Sequence, residues 1–159
     1  MVEQGGQSGT LALLVCRVGT RLCGIPLEHV RETMRPLPTE PLANLPDFVS
    51  GLALIRGRPT PVLDAHHLLG GELEPPAPRR YVTIGLGERS VALAVDAVLG
   101  VRHVEQRRLA ELPPVLRESG HDSVSALGTL DRELLLLLER SRLLPDSVWQ
   151  ALEAEAPAP

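Results

Sequence analysis

The chain has 159 residues and a formal net charge of −4, so it offers no sequence-wide attraction to nucleic acid or to an anionic lipid surface. Its length suits one ordinary domain, or two very small ones that share a core. Only Phe48, Tyr81 and Trp149 are aromatic, and 15 prolines with 14 glycines favour short strands and turns around a core of Leu, Val, Ile and Ala.

In chain order, residues 1–10 are polar and Gly-rich and read as a disordered arm. No apolar h-region follows and only two cysteines are present, which predicts a reducing, cytoplasmic setting. No run reaches the roughly 18–20 apolar residues of a membrane helix, so no direct membrane insertion is expected. Residues 11–18 and 21–25 form a hairpin about Gly19-Thr20, which sets Cys16 opposite Cys23. Residues 26–29 make one helical turn and 30–34 a third strand. Residues 35–46 hold four prolines and read as an extended connector. A second hairpin, 52–55 and 60–63, turns at Arg56-Gly57-Arg58-Pro59, where Gly57 supplies a positive φ. Asp64 then caps a short apolar helix, AHHLL, and residues 70–78 break the chain.

The pattern then repeats. Strands 81–86 and 89–95 flank Gly87-Glu88, and Gly87 and Val98 each lie 68 residues after Gly19 and Val30. Strand 101–105 and a polar connector, 106–122, follow. VLDAHHLL at 62–69 has a counterpart 75 residues later, LLERSRLL, preceded by a turn at Asp131-Arg132 in place of Arg56-Gly57. About ten strands result, enough for two small barrels. Residues 145–155 read as a helix with Val148, Trp149 and Leu152 on one face, ending in a disordered APAP.

Candidates for chemistry fall away one by one. Cys16 and Cys23 read as small buried hydrophobes. His66 and His67 are adjacent, so they point to different sides of a helix and do not chelate one ion together; no metal or cofactor is expected. Ser119, His121, Asp122 and Ser123 are triad residue types, but they crowd one polar loop instead of coming from separate elements. Gly85-Leu86-Gly87 lacks the third glycine of a dinucleotide loop and precedes a strand. Arg107-Arg108 has no interleaved aromatics for a nucleic-acid groove. What remains is Glu32 on the third strand and Arg56 at the end of the fourth, which adjacent strands would bring into an ion pair. That pair is either a surface decoration or a partner contact.

Two motifs carry a resemblance: the V-x-E of Val30–Glu32, and G-x-x-x-x-R-G-x-x-x-P-V-x-D from Gly51 to Asp64. With VALAVDAVLGV and SALGTLDRELLLLLERSRLL in the second half, the chain resembles the CheW family, adaptors of bacterial chemosensory arrays, over about residues 11–145. The resemblance implies a mainly β fold: two five-stranded SH3-like β-barrels packed side by side, with short helices and a C-terminal helix. The barrels would occupy about 11–70 and 79–145, with exchange of strands between them left open, and 146–159 would be the C-terminal helix and disordered tail. It implies two partners, a chemoreceptor cytoplasmic tip and the regulatory domain of a CheA-type histidine kinase, at receptor arrays on the inner face of the membrane. Val30 and Val101 match apolar positions of the receptor-binding groove, Glu32 and Arg56 the family's charged pair, and Gly51 a glycine near the same surface. The expected function is coupling without catalysis. The rival readings are a small-ligand-binding β-barrel, which needs an enclosed apolar cavity, and a hydrolase using the 119–123 loop.

Overall fold

The computed structural model describes residues 9–70, 77–111 and 123–155. Its strands are β1 (Thr10–Val18), β2 (Arg21–Pro26), β3 (Val30–Met34), β4 (Thr39–Glu40), β5 (Val49–Ile55), β6 (Arg58–Asp64), β7 (Arg80–Leu86), β8 (Arg89–Val95), β9 (Ala97–Glu105), β10 (Ala110–Glu111), β11 (Val124–Leu130) and β12 (Glu133–Leu138). Among the described residues there are also two α-helices, α1 (Ala65–Leu68) and α2 (Asp146–Glu155), with single 3₁₀ turns at Leu27–His29, Gln106–Arg108 and Arg140–Arg142. Among the described residues, no helix is long and apolar enough to cross a membrane.

The strands form two six-stranded sheets, one ordered β10-β11-β12-β2-β1-β9 and the other β4-β5-β6-β8-β7-β3. Each has six strands where the sequence suggested five, because β4 and β10 lie inside the segments read as connectors. These two-residue strands exist only through pairing, β4 with β5 and β10 with β11. Nor does each half of the chain supply one sheet. β3 leaves the first hairpin and pairs with β7, while β9 leaves the second hairpin and pairs with β1. Parallel pairing of β12 with β2 and of β6 with β8 completes the exchange.

In both sheets the two edge strands are consecutive in sequence, β3 with β4 and β9 with β10. Residues 35–38 join the first pair and residues 106–109 the second. Edges of a flat six-stranded sheet would stand about 24 Å apart. The chain from Glu105 to Ala110 reaches at most about 18 Å when fully stretched. Each sheet is therefore rolled.

Rolling divides the side chains of the central strands. Along β1, Leu13 and Val15 face the interior of the first sheet, while Leu14, Cys16 and Val18 face a core common to both sheets. β12 divides in the same way, Leu135 and Leu137 against Leu136 and Leu138. In the second sheet Ala92 and Ala94 of β8 turn inward, while Val91, Leu93 and Val95 enter the common core. Burial on both faces is why these strands read as continuous apolar runs instead of alternating. Cys16 and Cys23 lie directly opposite each other, buried as free thiols, and the Cys23 thiol is pushed up by its contact with Cys16 and by burial. Val148 and Leu152 attach α2 to the common core.

Gly51 is buried under the edge strand β4. Its φ is +146°, and a Cβ there would collide with the Glu40 carbonyl and the Pro41 backbone. Gly57 also has a positive φ, of +79°, but a Cβ there meets nothing within 4 Å. Gly51→Ala should therefore destabilise by about 1–3 kcal/mol, with a smaller loss for Gly57→Ala. Denaturant midpoints of the two variants check this, and equal losses would show that overpacking under β4 is not the cause.

Candidate functional site

Arg56 and Gly57 form a two-residue turn between the paired residues Ile55 and Arg58. Both turn residues are left-handed, with φ of 51° and 79°, the signature of a type I′ hairpin. A non-glycine residue is uncommon in that conformation, and here it sets the Arg56 guanidinium at the hairpin rim. Arg56 Nε donates to Glu32 Oε2 at 2.7 Å and Nη2 donates to Oε1 at 2.9 Å, a bidentate fork. The hydrogen bond from Arg56 holds the Glu32 carboxyl below its ordinary value; partial burial opposes this, and the attraction of the guanidinium adds to it.

The sequence brought these two residues together by the wrong route. β3 is no neighbour of β5 or β6; β7 and β8 stand between them in the sheet. The pair closes across the roll. Glu32 is aimed by a register shift between Val30 and Glu32, the kind of irregularity that redirects side chains. Its backbone is tied to β7, with its N–H donating to Thr83 Oγ1 at 3.1 Å and the Thr83 hydroxyl donating to its carbonyl at 3.2 Å.

Glu32 and Arg56 line an open groove of about 490 Å³, together with Leu52 and Ile55 of β5 and Trp149 and Leu152 of α2. The other expected residues lie elsewhere. Val30 is partly buried against the common core, Gly51 is buried under β4, and Val101 is 44% exposed on β9 of the other sheet. None of these three lines the groove.

Sequence reasoning missed a second cluster. Asp64 caps α1 as expected, accepting the His66 N–H at 2.8 Å, and His67 Nδ1 lies 2.9 Å from its other oxygen. His66, only 5% exposed, places Nε2 3.0 Å from Asp96 Oδ1, and Asp96 Oδ2 accepts the Gly19 N–H at 2.6 Å. Asp96 sits where the chain passes from β8 to β9, so this clasp joins one sheet's hairpin turn to the other sheet's helix. A DAHH string carries no signal for a carboxylate 30 residues away. Among the described residues no group of three His, Cys, Asp or Glu is placed to hold a metal ion. Ser119, His121 and Asp122 lie outside the described residues. Ser123 is buried, with no hydrogen-bond partner for its hydroxyl among those described.

Comparison with known proteins matches residues 12–148 to the family model described as CheW-like domain. The chain is 33% identical over 143 residues to protein FrzA of Myxococcus xanthus, covering 86% of each. It is 26% identical over 150 residues to the chemotaxis protein CheW of Rhizobium meliloti, covering 94% of each. The crystal structure of the scaffolding protein TtCheW from Thermoanaerobacter tengcongensis superposes with a TM-score of 0.72 at 20% identity, over 81% of this chain and 88% of that one.

The clasp yields a pH prediction. Burial, the largest influence on Asp96, pushes its carboxyl up, but the Gly19 N–H, His66 and Arg79 together outweigh it and hold the group below its ordinary value. A depressed carboxyl stabilises the fold fully above the unfolded-state value, near 4, and loses that contribution as pH falls through the folded value. Asp96→Asn should therefore cost about 1–2 kcal/mol at neutral pH, with the difference from the unaltered chain shrinking below about pH 4. Urea melts across that range check it; a difference independent of pH would remove the carboxylate from the account.

Proposed function

The chain belongs to the CheW-like domain family, and from that premise we propose that it is a coupling adaptor holding a chemoreceptor's cytoplasmic tip against a CheA-type histidine kinase. The observation that carries the reading to particular residues is the bidentate Glu32–Arg56 pair at the rim of an open groove. Isolated exposed ion pairs add little to stability, so a rim built on a left-handed arginine is better explained by what it presents. The Arg56 side chain is 77% exposed and that of Glu32 30% exposed, which leaves the guanidinium face open to a partner while its fork is occupied. Val101 adds an exposed apolar contact on the other sheet, and Val30 supports β3 from beneath.

Control of the kinase then follows from geometry. A rolled-sheet scaffold fixes where receptor and kinase sit relative to each other and performs no chemistry itself. Array contacts repeat many times, so each can be modest and still hold. The place of action under this reading is the cytoplasmic face of the membrane, at receptor arrays. The small-ligand reading needs an enclosed apolar cavity, whereas this groove opens to solvent and is lined by four arginines and three glutamates.

Charge reversal tests the pair. Arg56→Glu and Glu32→Arg should each fold normally yet weaken receptor capture and kinase activation, since each places like charges side by side. The double swap should recover most of the loss if mutual pairing is what matters. Val101→Glu should abolish receptor pull-down while kinase binding persists, because it places an unpaired charge in an apolar contact. Wild-type signalling in both single reversals would end the case for the pair. Loss of kinase binding in Val101→Glu would assign that surface to the other partner.

A further inference from the structure

The groove lined by Glu32 and Arg56 is lined also by Trp149, Leu152 and Glu153 of the C-terminal helix α2. Val148 and Leu152 anchor that helix in the common core, the half-buried Trp149 packs against the same core, and Trp149 and Leu152 both line the groove. The Arg89 guanidinium stacks over the Trp149 ring at 4.8 Å from its centroid, and Arg89 Nη2 donates to Glu153 Oε2 at 3.1 Å. This contact ties α2 to β8 and fixes the ring's orientation. The floor is apolar, formed by Leu52, Ile55 and Pro61.

Charge on the groove is unevenly matched. Of the three lining glutamates, Glu32 is occupied by Arg56 and Glu153 by Arg89, while Glu88 has no ion-pair partner among the described residues, which leaves two unmatched arginines against one carboxylate. Arg31 donates to the Gly87 carbonyl, and Arg58 lines the groove; neither has a carboxylate partner among the described residues. An occupant that is apolar at its centre and carries a carboxylate at its flank would satisfy both the floor and these guanidinium groups. A helix with one apolar stripe and acidic neighbours has that chemistry.

We propose that α2 is the second wall of the partner groove, and that Trp149 and Arg58 are receptor-contact residues, Trp149 taking the apolar stripe of a receptor-tip helix and Arg58 a carboxylate beside it. The proposal rests on reading the Glu32–Arg56 rim as receptor-facing and extends that reading to a helix the family motifs did not mark. Aromatic and arginine side chains are the residue types that carry most binding energy in interfaces, and here both face one groove.

Trp149 is the chain's only tryptophan, which makes the test direct. The full chain labelled with 5-fluorotryptophan gives one ¹⁹F resonance. It is titrated with the unlabelled cytoplasmic hairpin fragment of a chemoreceptor from the same genome, and separately with the kinase regulatory domain. The resonance should move with the receptor fragment, saturating together with binding measured by calorimetry, and should stay still with the kinase domain. Arg58→Glu should weaken receptor binding at least tenfold and leave kinase binding unchanged, and raising salt should narrow the gap between it and the unaltered chain. Because Arg58 is exposed, this variant avoids any loss of α2 packing that Trp149→Ala would bring.

A receptor fragment that binds without moving the resonance overturns the proposal and leaves the adaptor reading standing. Movement with the kinase domain, or with concentration of the chain alone, assigns the groove to the kinase or to a second copy and overturns it equally. Failure of the receptor fragment to bind at all would overturn the adaptor reading itself.

Discussion

Each sheet is rolled because its two edge strands are consecutive in the chain and only four residues separate them. Most of what distinguishes the molecule follows from that short tether. A rolled sheet has an inside, so a strand such as β1 or β8 buries both faces, one within its own sheet and one against the other. The same roll brings the third strand of each half of the chain, β3 or β9, back to that half's last hairpin. That is how Glu32 meets Arg56 without lying on a neighbouring strand, and how Arg102 of β9 meets Asp131 in the β11–β12 turn at 2.8 Å.

Exchange of strands makes the two barrels one unit. Neither sheet exists without strands from both halves of the chain, and the common core draws on both sheets and both helices. With only three aromatics in the chain, that core is filled by branched aliphatics from back-to-back strands. The His66–Asp96–Gly19 clasp lies at one of the crossings between sheets, where a polar tie costs least: Asp96 keeps some contact with water while its oxygens are satisfied. A scaffold whose task is to fix the angle between two partners gains from halves that do not move independently.

The sequence announces what is local and hides what is made by pairing. Two-residue turns at Gly19-Thr20 and Gly87-Glu88 were legible, because Gly19 and Gly87 have the positive φ those turns need. Asp64 as a cap and Cys16 opposite Cys23 follow from spacing alone. By contrast, β4 and β10 have no sequence signature, since two residues show no periodicity and become strands only when an edge accepts them. The parallel ladders β12–β2 and β6–β8 join segments far apart in the chain, which no local pattern encodes. At the site, Glu32 and Arg56 were legible as a pair because Glu32 alternates with Val30 and Met34 along its strand and Arg56 ends an otherwise apolar one. Trp149 was legible only as one residue of an apolar helix face; its place in the same groove as Arg56 depends on the contact of α2 with Arg89 of β8.

The repeat also shows where the two barrels diverge. In one, β3 carries the acid and the β5–β6 turn the base, Glu32 to Arg56; in the other, β9 carries Arg102 and the β11–β12 turn Asp131. Both turns are built on consecutive left-handed residues, Arg56-Gly57 and Asp131-Arg132, so the ion pair across the roll is duplicated along with the fold. Coulomb attraction is indifferent to which partner holds which sign, and either polarity forms the same pair. What differs is the surface each turn shows to solvent, an arginine beside a glycine at one end and an aspartate beside an arginine at the other. A duplicated barrel with identical rims would offer two copies of one docking surface. Inverting the pair keeps the closure and makes the ends non-equivalent, which is what a protein needs if it is to hold two different partners with one repeated fold.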